Sequence, residues 1–186
     1  LAEAKSQLAE EADYDLEGAQ MALFGRLLAD DPTLVVPLLD EEFTTASVLA
    51  MSFVEGQPIE TLVTAPQATR DAVMTTLIRL ALRELFEFGV MQTDPNFANY
   101  RFQPETGRLA LLDFGATRLV TPATALSYRQ LLQAGLEADP AAVRSAALSA
   151  GFIGPGAVDG HGDGVDRMID VNVPEVQRPR PFRFRS

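Results

Sequence analysis

Three polar residues placed around a short hairpin constrain this chain more than any other feature of its sequence. Asp94 is followed five positions later by Asn99, and Asp113 opens an Asp-Phe-Gly triplet that ends at Gly115. Phosphoryl transfer needs little covalent help from a protein, but it needs a carboxylate near the attacking hydroxyl and oxygen ligands for Mg²⁺. Asp94 could supply the carboxylate, and Asn99 and Asp113 could supply the metal ligands.

The segment between these motifs predicts how they would be brought together. Residues 101–103 and 109–112 have the composition of two short strands, and the Glu-Thr-Gly sequence at 105–107 is typical of a turn. Such a hairpin would hold the loop before its first strand beside the loop after its second. The order and spacing are those of the catalytic and metal-binding loops of kinases. An ordinary hairpin between helices, without a catalytic role, is the alternative.

Composition limits the other function classes. The 186 residues suffice for one domain or a large piece of one, and the absence of cysteine excludes disulfides and thiolate metal sites. A net charge of -11 argues against a nucleic-acid binder and against electrostatic docking of the domain on anionic lipid. No apolar run approaches the ~20 residues of a membrane span, although peripheral association with a membrane remains open. The chain begins with Leu1 inside a helix-like sequence, and it is therefore expected to be a fragment or a trimmed chain.

The remaining pattern predicts a mixture of helices and short strands. Helices are expected from about residue 2 to 29, from Pro66 to about 88 with Gly89 as the C-terminal cap, from Pro122 to about 138 and from Pro140 to about 150. Strands are expected at 34–39 and 47–54. From about 154 the composition shifts to Gly, Pro, Asp and Arg, which predicts a poorly ordered tail. Within it, 159–164 partly resembles a calcium loop, but a flexible linker is the preferred interpretation.

With these residues in view, the chain resembles the UbiB/AarF family of atypical kinases, and especially its coenzyme Q biosynthesis branch. The residues that carry the resemblance are 85–96 (LFEFGVMQTDPN), Asn99 and 111–118 (LLDFGATR). The Glu-Ala-Asp-Tyr sequence at 11–14 is similar to the Glu-x-Asp signature on the αC helix of this family. The match extends from about residue 5 to 153.

The resemblance implies an α+β, protein-kinase-like fold, with a mostly helical large lobe, the αC helix and the last strands of the small lobe. Residues 1–56 would be the remnant of the small lobe, with αC, two strands and the hinge. Residues 57–153 would form the large lobe with the catalytic and metal loops, and 154–186 the tail.

The same resemblance implies roles for individual residues. Asp94 would be the catalytic-loop carboxylate, and Asn99 and Asp113 would be the Mg²⁺ ligands and contact the nucleotide with it. Glu11 would be the αC acid that pairs with a small-lobe lysine, although a solvated helix carboxylate is its alternative. A hinge against the adenine ring would be formed by Met51, Phe53 and Val54.

The function implied is that of an ATP- and Mg²⁺-dependent atypical kinase or ATPase supporting ubiquinone (coenzyme Q) biosynthesis. Its partners would be the nucleotide and proteins or lipid precursors of that pathway. Its location would be the bacterial cytoplasm, at the membrane periphery or free of it, or the mitochondrion of a eukaryote. The alternative is a non-catalytic, pseudokinase-like module that binds a partner protein or a lipid precursor.

Three departures from the kinase pattern bear on activity. Gln92-Thr93 replace the usual His-Arg, and only five residues separate Gly115 from the helix start at Thr121-Pro122. The chain therefore has no long activation segment to dock peptides, which argues against protein substrates. A phosphate-pairing lysine and an Ala-rich nucleotide loop should precede αC, but the single lysine is Lys5, on the predicted helix of Glu11. The 186-residue chain alone is thus expected to bind Mg²⁺–ATP weakly and to hydrolyse it negligibly.

Overall fold

The computed structural model describes residues 13–94, 96–137 and 139–154. The chain divides into two compact units, Leu1–Leu119 and Val120–Ser186, and each is described by itself. The expected tail, including its calcium-like loop, lies outside the described residues except for Gly154. The boundaries expected for the two lobes stay a prediction.

The first unit begins with helix α1, Tyr14–Leu27. Its N-terminus is capped by Asp13, whose carboxylate accepts a hydrogen bond from the backbone N–H of Leu16 at 3.1 Å, as expected of an aspartate at this position. One face of α1 carries Met21 and Phe24, both fully buried. These two side chains anchor the helix on the core that the strands and the next helix complete.

Among the described residues of this unit, six short strands form two sheets: β1 Leu34–Val35, β2 Gln57–Pro58, β3 Val90–Gln92, β4 Tyr100–Gln103, β5 Arg108–Leu111 and β6 Thr117–Leu119. The larger sheet has the order β1-β5-β4-β2, in which β1 is parallel to β5 and the other pairs are antiparallel. Strands β3 and β6 form a separate antiparallel pair. The expected hairpin is the β4–β5 pair.

The two strands expected at 34–39 and 47–54 are much shorter than predicted. Strand β1 ends before Pro37, which has no N–H to continue a ladder. In the second segment the backbone N–H of Ala50 is bound by the Thr44 hydroxyl at 3.1 Å, and only an isolated bridge joins Leu39 to Met51. A local side-chain hydrogen bond therefore competes with strand pairing there.

Helix α2, Gln67–Arg83, continues into a π-helical segment, Glu84–Phe88. Gly89 follows in the left-handed conformation with φ 69°, so the expected C-terminal glycine cap is confirmed. Strand β3 starts at the next residue. A preceding 3₁₀ turn, Ile59–Thr64, buries Ile59 and Leu62 in the same core as α2. No helix in the described ranges is long and apolar enough to cross a membrane.

An ion-pair cluster joins the loop after α1 to helix α2. The Asp31 carboxylate lies 2.8 Å from the Arg83 guanidinium and 3.8 Å from that of Arg79, and it accepts hydrogen bonds from the backbone N–H and hydroxyl of Thr33. Burial alone would raise the pKa of Asp31, but the Thr33 hydrogen bonds and the two arginines together hold it below its ordinary value. The stability that ionised Asp31 contributes to the fold is therefore fully present above the ordinary aspartate pKa. It is lost as the pH falls through the lower pKa of the folded state.

Replacing Asp31 with Asn should lower the free energy of unfolding by about 1–3 kcal/mol at neutral pH, because Arg83 loses a charged and nearly buried partner. Urea unfolding measures this loss. The matched control is Asp30→Asn, which removes the same charge from the exposed neighbouring position. Equal stabilities of the two variants would contradict the structural role of Asp31.

The second unit contains α3, Pro122–Leu136, and α4, Pro140–Ser149. Both helices begin with proline after a capping side chain, since Thr121 accepts from the N–H of Thr124 and Asp139 accepts from two N–H groups of α4. The rings of Tyr128 and Phe152 meet edge to face with centroids 4.8 Å apart. Both helix starts agree with the sequence prediction.

Candidate active site

The β4–β5 hairpin brings Asn99 and Asp113 to the same edge of the larger sheet. Asn99 immediately precedes β4, one residue (Leu112) separates Asp113 from the end of β5, and the register pairs Tyr100 with Leu111. One further backbone bond, from the N–H of Leu112 to the carbonyl of Asn99 at 3.0 Å, extends the ladder toward the two side chains. The hairpin therefore sets the separation of the two motifs.

The Asn99 and Asp113 side chains are in direct contact. The Asn99 Nδ2 donates to Asp113 Oδ2 at 3.1 Å, while Asp113 Oδ1 accepts from the backbone N–H of Gly115 at 3.0 Å. The latter bond fixes the Asp113 carboxylate from within its own loop. The two side chains meet as their spacing predicts, with the amide nitrogen of Asn99 facing Asp113; their role as metal ligands stays a prediction.

Asp94 lies in the exposed loop between β3 and the 3₁₀ turn Phe97–Asn99. The buried residue Tyr100, which is 7% exposed, indicates where Asp94 lies relative to Asn99 and Asp113. Burial, and to a smaller extent the negative charges of Glu84, Asp94 and Asp113, raises the pKa of Tyr100 to about 12. Asp94 and Asp113 thus lie close enough to the same phenol for both charges to act on it.

The pairing of β3 with β6 holds the Asp94 loop against the Asp113 loop, a contact that the sequence did not predict. The backbone N–H and the hydroxyl of Thr93 both donate to the carbonyl of Ala116, at 3.1 and 2.7 Å. Beside them, the Gln92 amide donates from Nε2 to the carbonyl of Asp113 at 2.5 Å. The two residues that replace the usual His-Arg therefore bind the backbone of the Asp113 loop.

Helix α1 contributes a carboxylate that sequence reasoning missed, Glu17. Its Oε1 accepts from the backbone N–H of Phe114 at 3.4 Å, and the Phe24 ring on the same helix lies 5.2 Å from the Phe114 ring. Burial raises the pKa of Glu17; the Phe114 N–H opposes this, and the charge of Asp113 adds to the rise. Glu11 lies outside the described residues. Glu17 stands seven residues, or about two helical turns, before the buried Phe24 and therefore lies on the same face of α1. This spacing was the sequence signal that could have identified Glu17.

The expected hinge residues lie on a different segment. Met51 is partly buried against the core and bridges to Leu39, whereas Phe53 is 89% exposed and Val54 is partly buried. No hydrogen bond joins these residues to Asn99 or Asp113 within the described ranges. The nucleotide-binding role of the hinge therefore stays a prediction.

The segment that follows the hinge is fixed to strand β4. Gln103 donates from Nε2 to the carbonyl of Glu55 at 3.0 Å, and β2 pairs with β4. Gly56 approaches so closely that an added Cβ would lie 2.8 Å from the Cβ of Arg101, a distance that requires a shift of the backbone. The expected hinge is therefore connected to the strand that follows Asn99.

The donor set fits a hard, oxygen-preferring cation. Asn99 offers an amide oxygen, Asp113 a carboxylate, and Glu17 a second carboxylate next to it. Burial is the main cause of the raised pKa of Glu17, and the charge of Asp113 adds to it; a bound divalent cation would relieve that repulsion. Within the described ranges no cluster of three or more His, Cys, Asp or Glu side chains is placed to hold a metal, so the amide of Asn99 would be needed.

Residues 1–147 match the family model described as the ABC1 atypical kinase-like domain. The chain belongs to this family. It is 39% identical over 132 residues to the mitochondrial atypical kinase COQ8 of Saccharomyces cerevisiae, covering 71% of this chain and 26% of the yeast protein. It is 40% identical over 135 residues to the mitochondrial atypical kinase COQ8B of Rattus norvegicus, covering 73% and 26%. The resemblance drawn from the motifs is confirmed.

A solved structure supports the fold of this ABC1 chain. The Mycobacterium tuberculosis protein Rv3197, solved as a complex with erythromycin, superposes with a TM-score of 0.70 over 89% of this chain and 41% of its own, at 24% identity. That likeness confirms the kinase-like α+β fold alone. The chain spans only about a quarter of the length of the yeast and rat relatives.

Proposed function

We propose that this ABC1 chain carries the catalytic and metal-binding corner of an ATP-dependent kinase or ATPase. The observation that carries the proposal is the contact between the Asn99 and Asp113 side chains at one end of the hairpin. Asp94 supports it, because its charge and that of Asp113 both act on Tyr100. Kinase-type phosphoryl transfer depends on positioning and electrostatics, and these residues supply both.

Each residue has a distinct role in this proposal. Asp94, exposed at the edge of the site, accepts a hydrogen bond from the attacking hydroxyl or water and orients it. Asn99 and Asp113 would hold Mg²⁺, which when bound neutralises negative charge on the nucleotide phosphates. Glu17 braces the Asp113 loop from α1 through the N–H of Phe114. Met51, Phe53 and Val54 would contact the adenine ring.

The biological setting is proposed from the family. Support for coenzyme Q biosynthesis rests on the resemblance and on relatives that carry the COQ8 name. Both of these relatives are mitochondrial atypical kinases, which favours the mitochondrion among the expected locations. Proteins or lipid precursors of that pathway stay the proposed partners.

Metal binding by the 186-residue chain tests the site. Mn²⁺ titration followed by the electron paramagnetic resonance of the free ion, with and without ATP, should show one site. Replacing Asp113 with Asn should weaken it at least about tenfold, because a charged ligand is lost. Glu105→Gln, in the exposed turn of the same hairpin, is the matched control and should leave the affinity unchanged.

The rival function, a non-catalytic binding module with a vestigial site, gives the opposite result. In that case the wild-type chain and Asp113→Asn would bind Mn²⁺ equally weakly. The nearby carboxylates of Glu17 and Asp113 favour the metal site, since a bound divalent cation would offset the repulsion between them.

A further inference from the structure

A buried carboxylate lies in the helical segment that packs against the strand entering the candidate active site. Glu84 is the first residue of the π-helical segment and is 4% exposed. The backbone N–H of Gln92, the last residue of β3, lies near its carboxylate and stabilises the ionised form, which opposes the rise in pKa caused by burial. Within the described ranges Glu84 forms no ion pair, so this N–H is its identified stabilising partner.

The Gln92 side chain carries the connection further. It is 8% exposed, and its amide lies between two groups. The carbonyl of Asp113 can only accept, so Gln92 Nε2 must be the atom that faces it, and Oε1 is left to accept from the Tyr100 hydroxyl at 3.3 Å. Gln92 therefore joins Glu84, Tyr100 and the backbone of Asp113.

The local backbone explains why a glutamate is buried at this point. Strand β3 packs against the π-helical segment after the reversal at Gly89. A π-helical turn is wider than an α-helical turn and occurs frequently at functional sites. Glu84 opens that turn, whereas Glu87, in the same turn, is 62% exposed at its side chain and pairs with Arg83. The two acids of one turn thus occupy opposite environments.

We propose that Glu84 is a positioning residue for the Asp113 loop, acting through Gln92. The Glu84 carboxylate fixes the end of β3, and the Gln92 amide fixes the carbonyl of Asp113 and so the direction in which its side chain leaves the backbone. The consequence for metal binding rests on the proposed function, but the linkage itself is a property of the chain without metal.

The linkage should respond to pH near neutrality. Burial raises the pKa of Glu84 to about 7. Two other titratable residues lie near Glu84. Tyr100 on β4 stays neutral because its pKa is about 12, and Asp113 is connected to Glu84 through Gln92, whose side chain binds the Asp113 carbonyl. On its own helix, Arg83 pairs with Asp31 and Glu87. Ionised Glu84 accepts a charge-assisted hydrogen bond from Gln92, which weakens when Glu84 is protonated.

Nuclear magnetic resonance of the 186-residue chain tests the linkage directly. Between about pH 5.5 and 8.5, the backbone ¹⁵N of Gln92 and the carbonyl ¹³C of Asp113 should titrate together with a midpoint near 7. In Glu84→Gln neither nucleus should show that midpoint. In Gln92→Met the backbone ¹⁵N at 92 should keep it, while the Asp113 carbonyl should lose it. Glu87→Gln is the matched control and should leave both midpoints in place.

Metal affinity gives the second readout. At about pH 8, Glu84→Gln should bind Mn²⁺ about threefold to tenfold more weakly than wild type, the effect of one weakened hydrogen bond. The inference is overturned if the Asp113 carbonyl keeps its midpoint in Glu84→Gln, or if a wild-type chain that binds Mn²⁺ loses no affinity in that variant. A wild-type chain that shows the linkage but binds no Mn²⁺ instead refutes the proposed function and supports the positioning role.

Discussion

Asp113→Asn should lower ATP hydrolysis on the order of 10³-fold or more. The protein to assay is the entire product of the gene that encodes this segment. The physical reason is electrostatic, since the substitution removes the charge of the carboxylate that contacts Asn99 at 3.1 Å and would hold the metal. The change is nearly isosteric, so the Gly115 N–H can still be bound. The measurement is phosphate release at saturating Mg²⁺–ATP.

Two controls make this result specific. Glu105→Gln changes an exposed carboxylate of the same hairpin and should keep full turnover. The 186-residue chain by itself should release little phosphate, because its single lysine is Lys5 and a triphosphate also needs a lysine and backbone amides for charge neutralisation. Rapid turnover by this chain alone would show that the phosphates bind elsewhere, and the roles given to Asp94, Asn99 and Asp113 would then be wrong.

The parts of the site that were predictable are those encoded by local signals. The β4–β5 hairpin follows from two short apolar runs around a turn, and Gly107 in that turn has φ 70°, which glycine adopts readily. Because the hairpin is local, its two flanking motifs could be placed together from spacing alone. The capped starts of α3 and α4 were predictable for the same reason.

The parts that were not predictable depend on non-local pairing. Strands β3 and β6 have three residues each, too few to show an alternating pattern, and they pair across the whole hairpin. The parallel pairing of β1 with β5 joins residues about 75 positions apart in the sequence. The roles of Glu17 and Gln92 follow from these long-range contacts, so motif spacing could not identify them.

The structure also gives a reason for the two residues that depart from typical kinases. Gln92 and Thr93 together make three hydrogen bonds to the carbonyls of Asp113 and Ala116. A neutral amide and a hydroxyl thus tie the Asp94 loop to the Asp113 loop without a phosphorylated segment. This constitutive contact agrees with the short connection between Gly115 and Thr121.

Glu84 should make the protein less stable as the pH rises from about 4.5 to about 7. Its pKa is about 7 in the folded state and near the ordinary value of 4.5 when unfolded, so the folded state binds more protons in this interval. The free energy of unfolding should therefore fall by about 3 kcal/mol across it, from about 1.4 kcal/mol per pH unit, and level off above.

Urea unfolding of wild type and Glu84→Gln at several pH values isolates this contribution. Glu17 also has a raised pKa and adds a fall of the same sign, whereas Asp31 acts in the opposite direction at lower pH. Both contributions are shared by the two proteins and cancel in the difference between their stabilities. That difference should move in favour of the variant by about 3 kcal/mol between about pH 4.5 and 8, while Glu87→Gln follows wild type. Parallel curves for wild type and Glu84→Gln would mean that Glu84 titrates like an exposed glutamate. That result would contradict the raised pKa that its burial beneath β3 predicts.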